Sequence, residues 1–130
     1  MLALTRINHI GLRVSHYEIS KTFYQQLGFE HISGPSGPEP VAIMLHPSGI
    51  NINFILNAQG KEKHNILMES EVKLTGYTHV ALEVENMINT KRTLADLGIK
   101  LSGETASHPT GDSIFIRDPD DNVIEFIAPK

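Results

Sequence analysis

The chain writes one short pattern twice, and this repetition limits what it can fold into more than any other feature. Residues 7–14 read Ile-Asn-His-Ile-Gly-Leu-Arg-Val, and residues 77–84 read Tyr-Thr-His-Val-Ala-Leu-Glu-Val. Each is an alternating run, so Ile10, Leu12 and Val14 share one face of a strand, as do Val80, Leu82 and Val84. His9, Gly11 and Arg13 take the other face of the first strand, and His79, Ala81 and Glu83 that of the second. At a constant offset of 70 the match runs without a gap from 7–33 onto 77–103, with Lys21 on Lys91, Leu27 on Leu97 and Gly28 on Gly98. At an offset of 72, Pro47 falls on Pro119, Ile52 on Ile124, Phe54 on Phe126 and Asn53 on Glu125. The two-residue slip belongs in the loops. This is an internal duplication of one strand-helix-three-strand module.

Local signals fill in each copy. Ser15 and Glu18 have capping-box spacing, Tyr17, Phe23, Tyr24 and Leu27 recur at roughly helical spacing, and Gly28 is placed to end the helix in a left-handed conformation. A short strand is expected over 29–32, a loop over 33–40 with its two glycines and three prolines, and strands over 41–45 and around Ile52 and Phe54. In the second copy Asn86 is the expected cap of a helix carrying Met87, Leu94 and Leu97, closed by Gly98. A loop over 102–112, a strand over 113–117, a turn over 118–122 and a last strand over 123–128 follow. Between the copies, 58–65 is polar and charged, and 66–68 is apolar enough to dock on a core. The expectation is one domain over 1–130, made of module 1 (about 5–57), a connector (58–76) and module 2 (77–130).

Composition removes several function classes. A net charge of −4 with eleven scattered basic residues offers no stripe for nucleic acid. No apolar run is long enough to span a bilayer, and residues 1–6 do not read as a signal peptide, so no membrane partner and a cytoplasmic location are expected. With no cysteine, thiolate nucleophiles and thiolate metal sites are excluded.

What remains is a constellation the repeat assembles. Glu125 stands between Ile124 and Phe126 on a strand, and a carboxylate there is costly to bury without a partner. If a pseudo-twofold relates the modules, His9, His79, Asn53 and Glu125 converge. Two imidazoles and a carboxylate make a three-ligand site for a divalent metal with open positions, and Asn53 adds at most a weak ligand or a supporting hydrogen bond. Arg13 and Glu83, at equivalent inward positions, are expected to pair with each other, with substrate binding as the alternative. Asn51 is a polar filler of the cavity, and Met44, Ser113 and Phe115 are candidates to line it. His16, His31, His46, His64 and His108 read as surface residues.

The chain resembles the vicinal oxygen chelate superfamily of glyoxalases, fosfomycin- and bleomycin-resistance proteins and extradiol dioxygenases. The resemblance rests on Asn-His-Ile-Gly-Leu-Arg-Val over 8–14, Phe-Tyr-Gln-Gln-Leu-Gly-Phe over 23–29, Tyr-Thr-His-Val-Ala over 77–81, and Ile-Arg-Asp-Pro-Asp-Asp-Asn-Val-Ile-Glu over 116–125. Asp121 stands where the family turn usually has glycine. The resemblance implies an α+β fold of two tandem βαβββ modules forming an open cup-shaped barrel. It implies His9, His79 and Glu125 as metal ligands, Glu125 as catalytic residue, and Fe2+, Mn2+, Ni2+, Co2+ or Zn2+ as the ion. It also implies a small-molecule substrate that chelates through vicinal oxygens, and a homodimer. Asn53 replaces the second carboxylate of glyoxalase I, which argues against lactoylglutathione lyase activity. Gly111-Asp112-Ser113 resembles a fosfomycin-transferase segment, but Phe115 stands where both that branch and the dioxygenases carry tyrosine. The competing expectation is a bleomycin-resistance-like protein that binds its ligand without metal.

Overall fold

The duplication predicts two equivalent sheets, and a computed structural model, which describes residues 1–62 and 64–130, contains them. Lys63, within the expected connector, lies outside the described residues. The chain divides into two compact units, Met1–Lys61 and Glu62–Lys130. The first holds β1 (Ile10–Arg13), α1 (Tyr17–Gln26), β2 (Glu30–Ser36), β3 (Val41–Leu45) and β4 (Asn51–Ile55). The second holds α2 (Ile66–Glu69), β5 (His79–Glu83), α3 (Met87–Asp96), β6 (Ala106–His108), β7 (Gly111–Arg117) and β8 (Val123–Pro129). The strand orders, β1-β4-β3-β2 and β5-β8-β7-β6, are the same, with the first pair parallel and the others antiparallel. Each unit is thus a βαβββ module, and the fold is α+β.

Register carries the repeat further. Gly11 pairs with Asn53 and Ala81 with Glu125, so the offsets of 70 and 72 read from sequence are the two sides of one conserved strand pairing. Ile10, Leu12, Ile52, Phe54, Ala42 and Met44 share the face on which the first unit's core forms. Tyr24 of α1 packs edge-on against Phe29 and Phe54, with ring centroids 5.7 and 5.5 Å away. The second unit's core is mostly aliphatic: Ile114, Ile116 and Ile124 are buried beside Leu94 and Phe126.

Several local expectations need correction. The cap of α1 is His16, whose Nδ1 accepts from the Ile19 amide at 3.4 Å, and not Ser15; an imidazole nitrogen serves where a hydroxyl was sought. Asn86 caps α3 as expected, accepting from the Asn89 amide at 2.9 Å. The stretch 33–36, expected as loop, belongs to β2, and 106–108 forms β6. Proline is excluded from strands inside a sheet but not from its edge. β2 is an edge strand, pairing irregularly with β3 as Ser33 to Ile43 and Ser36 to Val41, so Pro35 forfeits no ladder bond toward a second neighbour. The apolar residues 66–68 lie in the short helix α2, whose Asn65 cap belongs to the second unit. Nor are all the remaining histidines at the surface. His31 is half-buried in β2, bonded through Nε2 to the Gly34 carbonyl at 2.8 Å, and His46 packs edge-on against Phe29.

Candidate metal centre and its polar supports

Strand pairing decides which side chains stand together on the second sheet. His79, Ala81 and Glu83 of β5 share a face with Val123, Glu125 and Ile127 of β8 and with Ser113, Phe115 and Arg117 of β7. On this face His79 Nε2 lies 3.1 Å from Glu125 Oε1. Glu125 Oε2 accepts the Ser113 hydroxyl at 2.8 Å, and Ser113 is fully buried. His79 Nδ1 is bonded to Thr78 Oγ1 at 2.8 Å. The carboxylate and the ring are therefore each held on their far side, with Oε1 and Nε2 side by side.

This is what a metal site asks of its ligands. Two donors bound side by side, each about 2.1 Å from an ion, stand about 3 Å apart, the separation seen here. The Thr78 hydroxyl serves either tautomer. It can donate to Nδ1 while Nε2–H points at Glu125, or accept from Nδ1–H and free the Nε2 lone pair for an ion. The donor set fits a divalent cation.

The first unit repeats half of this. His9 lies one residue before β1, exposed, with Nδ1–H donating to Asn8 Oδ1 at 2.8 Å. An amide oxygen only accepts, so Nε2 keeps its lone pair free, as a ligand needs. Asn8 and Thr78 are equivalent in the repeat, so the support of the ring was duplicated along with the ring. Facing Gly11 is Asn53, and the Oδ1 atoms of both Asn51 and Asn53 are buried with no hydrogen-bond partner among the described residues. Such oxygens normally find a partner, and an amide oxygen can turn toward a cation. Among the described residues no group of three or more His, Asp or Glu side chains is placed to hold a metal ion, so the pair His79–Glu125 is what the structure brings together.

The remaining candidates fall in different places. Met44 is fully buried on the core face with Ile52 and Phe54, so it lines no cavity; alternation on β3 puts it there. Ser113 supports Glu125 and is not open to a ligand. Arg13 takes Glu39 (3.3 Å) and Asn57 (2.9 Å) as partners, where the sequence pointed to Glu83; the turn after β2 brings Glu39 within reach, which spacing could not show. Glu83 is exposed. Phe115 borders a cavity of about 300 Å³ with Met68, residues 102–104, Arg117 and Val123. Arg117 and Met68 were not singled out from sequence; the only signal was a basic residue on the Glu125 side of β7.

The turn joining β7 to β8 fixes this register. The Asp118 carboxylate accepts from the backbone amides of Asp120 and Asn122, both at 2.9 Å, and from the Asn122 side chain. Asp121 adopts φ 66°, the left-handed conformation its position in the turn requires.

These features agree with comparisons to known proteins. The sequence matches the family model of the Glyoxalase/Bleomycin resistance protein/Dioxygenase superfamily over residues 6–126, and the chain belongs to that family. No curated protein sequence matches. Among solved structures, the fold is similar to a glyoxylase/bleomycin resistance protein/dioxygenase domain from Frankia sp. EAN1pec, at TM-score 0.79 and 21% identity, covering 98% of this chain and 94% of that one. It is similar to a mutant of the fosfomycin resistance protein FosX from Listeria monocytogenes, complexed with Mn(II) and 1S,2S-dihydroxypropylphosphonic acid (TM-score 0.74, 18% identity, 98% and 95% covered). It is also similar to TnmS3, an antibiotic binding protein from Streptomyces sp. CB03234 (TM-score 0.75, 17% identity, 100% of both chains). No helix among the described residues is long and apolar enough to cross a membrane.

Proposed function

We propose that the protein is a metal-dependent enzyme acting on a small molecule that chelates the ion through adjacent oxygens. The observation carrying this reading is the 3.1 Å approach of His79 Nε2 to Glu125 Oε1, with Thr78 and Ser113 engaged behind them. His79 and Glu125 would hold the ion; the family resemblance adds a histidine of the His9 type as third ligand, from this chain or a second copy, with Asn53 as a weak fourth. FosX, a family member bound to Mn(II), supports the choice of a divalent ion. Two neutral imidazoles and one carboxylate leave a dication with a formal charge of about +1, which suits an oxygen-rich substrate. When bound, the ion supplies Lewis acidity, drawing negative charge onto substrate oxygens.

The chain's own residues set the rest. Ser113 fixes the Glu125 carboxylate through Oε2, which leaves Oε1 beside His79 Nε2 as the oxygen that would meet the ion. Asn8 and Thr78 keep the imidazoles from rotating. Asn53 carries no titratable proton, so a mechanism needing two carboxylates is disfavoured and glyoxalase I chemistry is not proposed.

A homodimer belongs to this reading. Ile7 and Tyr77, equivalent in the repeat, are 79% and 101% exposed, and Met1, Leu2 and Leu4 are also largely exposed. These exposed apolar side chains are the surface that a second copy would cover. Light scattering is expected to give twice the 14.4 kDa chain mass.

The deciding experiment is metal analysis of purified protein followed by Mn2+ titration. Stoichiometric binding that His79→Ala abolishes supports the enzyme. The likeness to TnmS3 keeps a second reading alive, a ligand-binding protein without metal. Absence of metal binding, with ligand affinity untouched by His79→Ala, would establish that alternative.

A further inference from the structure

The open cavity bordered by Phe115 has a lining whose chemistry narrows what it can take. Phe115, Arg117 and Val123 line it from the sheet, residues 102–104 from the loop before β6, and Met68 from α2, which roofs one side. The loop is tied to the sheet by the Ser102 amide, which donates to the Phe115 carbonyl at 2.8 Å. The roof is latched twice. Glu69, next to Met68, accepts from Arg117 Nη2 at 2.8 Å, and Asn65 binds Asp121 through its amide (3.2 Å) and its side chain (3.0 Å). Asp121 also accepts from Arg117 Nη1 at 3.1 Å. An aspartate in a left-handed turn position is thus held there by the bonds that fasten the connector. Glycine would suit the backbone and lose the carboxylate's part of the latch.

Charge then sorts ligands. Among the described residues Arg117 is the one cation lining the cavity, and its two terminal nitrogens bond to Glu69 and Asp121. Glu104, also in the lining, adds a further carboxylate. An anionic group would meet an already neutralised arginine and a net negative surround, and a full charge of either sign would lose its hydration against Phe115, Met68 and Val123. Arg117 Nε is buried, so it too is closed to a ligand in the cavity.

We infer that this cavity is the subsite for an uncharged, ring-sized apolar group, beside a helix latched by Glu69–Arg117 and Asn65–Asp121. The inference rests on the proposed function in taking this group to be the body of the substrate whose oxygens meet the ion. It argues against phosphonate or carboxylate tails. The cavity volume of about 300 Å³ sits at the lower end of small-molecule sites, enough for one aromatic ring with substituents.

The test uses acetophenone as a neutral probe and benzoate as its nearly isosteric anion, each titrated into metal-free full-length protein and followed by amide chemical shifts. Acetophenone is expected to bind at least fivefold more tightly than benzoate, with shifts centred on Met68, residues 102–104 and Phe115. Phe115→Ala should weaken acetophenone about tenfold. Glu104→Gln, a change in a half-open wall that leaves the core alone, should narrow the discrimination against benzoate at least twofold. Equal binding of the two probes, tighter binding of benzoate or of benzylammonium, or shifts elsewhere would overturn the inference. Because no lining residue is a proposed metal ligand, the two readings fail separately. Mn2+ binding without acetophenone binding removes the subsite and leaves the metal centre. Acetophenone binding without Mn2+ binding upholds the subsite and removes the enzyme.

Discussion

The two units share a strand order and a register but not a chemistry. Where β1 and β4 pair Gly11 with Asn53, β5 and β8 pair Ala81 with Glu125. In the second unit the glutamate has both oxygens engaged, by His79 and Ser113; in the first, the asparagine oxygen is buried with no partner among the described residues. The supports of the histidines survive in both copies, as Asn8 and Thr78. Duplication has therefore preserved the backbone frame and the ring orientation while the acidic position diverged. A frame held by hydrogen-bonded ladders and apolar packing tolerates a change of one inward polar residue; the ligand set does not. The second unit carries the acid, its orienting serine and the cavity.

The cores differ too, and they offer the largest test of the comparison. Phe54 is fully buried and packed edge-on against Tyr24, whereas its repeat partner Phe126 is 8% exposed. Phe54→Ala should lower the free energy of unfolding by about 3–5 kcal/mol, read from urea denaturation. Phe126→Ala should cost less, because its surround loses no aromatic pair. Equal costs would mean the aromatic cluster adds nothing beyond area.

Next in size comes the acid itself. Glu125→Gln should reduce Mn2+ affinity at least a hundredfold, about 3 kcal/mol, while Asn53→Ala should change it little, both by calorimetric titration. If the two substitutions hurt equally, the units are functionally symmetric and the contrast drawn above fails. Ser113→Ala leaves every ligand in place and only frees Glu125 to turn. It should cost roughly tenfold to a hundredfold in metal affinity, with thermal stability nearly unchanged.

These contrasts were unevenly legible in the sequence. Alternation around His9 and His79, the matching offsets and the Asp-Pro-Asp-Asp-Asn turn were enough for the βαβββ modules, because periodicity reports which face a residue takes. Laying one module over the other, and not periodicity, is what brought Glu125 together with His79 in the sequence. Periodicity misplaced Met44, since the five-residue apolar stretch of β3 does not say which face is inward. Spacing was silent on Arg117 and the connector: Glu69 lies 48 residues from Arg117, and a contact of that reach depends on where a short helix docks. Ser113 was visible only as a polar residue on the right face. Its burial and its bond to Glu125 follow from strand pairing, which the sequence does not print.

The smallest expected effect tests a feature of the second unit's outer hairpin. Its edge strand β6 is only three residues long, and the hairpin is fastened by polar contacts: the Ser107 hydroxyl donates to Asp112 Oδ1 at 2.7 Å, and Lys130 Nζ stands 3.1 Å from Ser107 Oγ and 3.6 Å from Asp112 Oδ1. The Ser107 hydrogen bond, helped by Lys130, holds the Asp112 carboxyl below its ordinary value of 3.8. A carboxyl lowered in the folded state binds protons less readily than in the unfolded chain, so its stabilisation is present above the unfolded value, near 3.8, and is lost as pH falls through the lower folded value. Ser107→Ala should therefore move Asp112 back up toward 3.8, seen by carboxyl carbon NMR titration, while stability at neutral pH changes only slightly because the group is solvent-screened. Lys130→Ala should produce a smaller shift in the same direction. A larger shift from Lys130→Ala than from Ser107→Ala would show that charge, and not the hydroxyl, is what closes this hairpin.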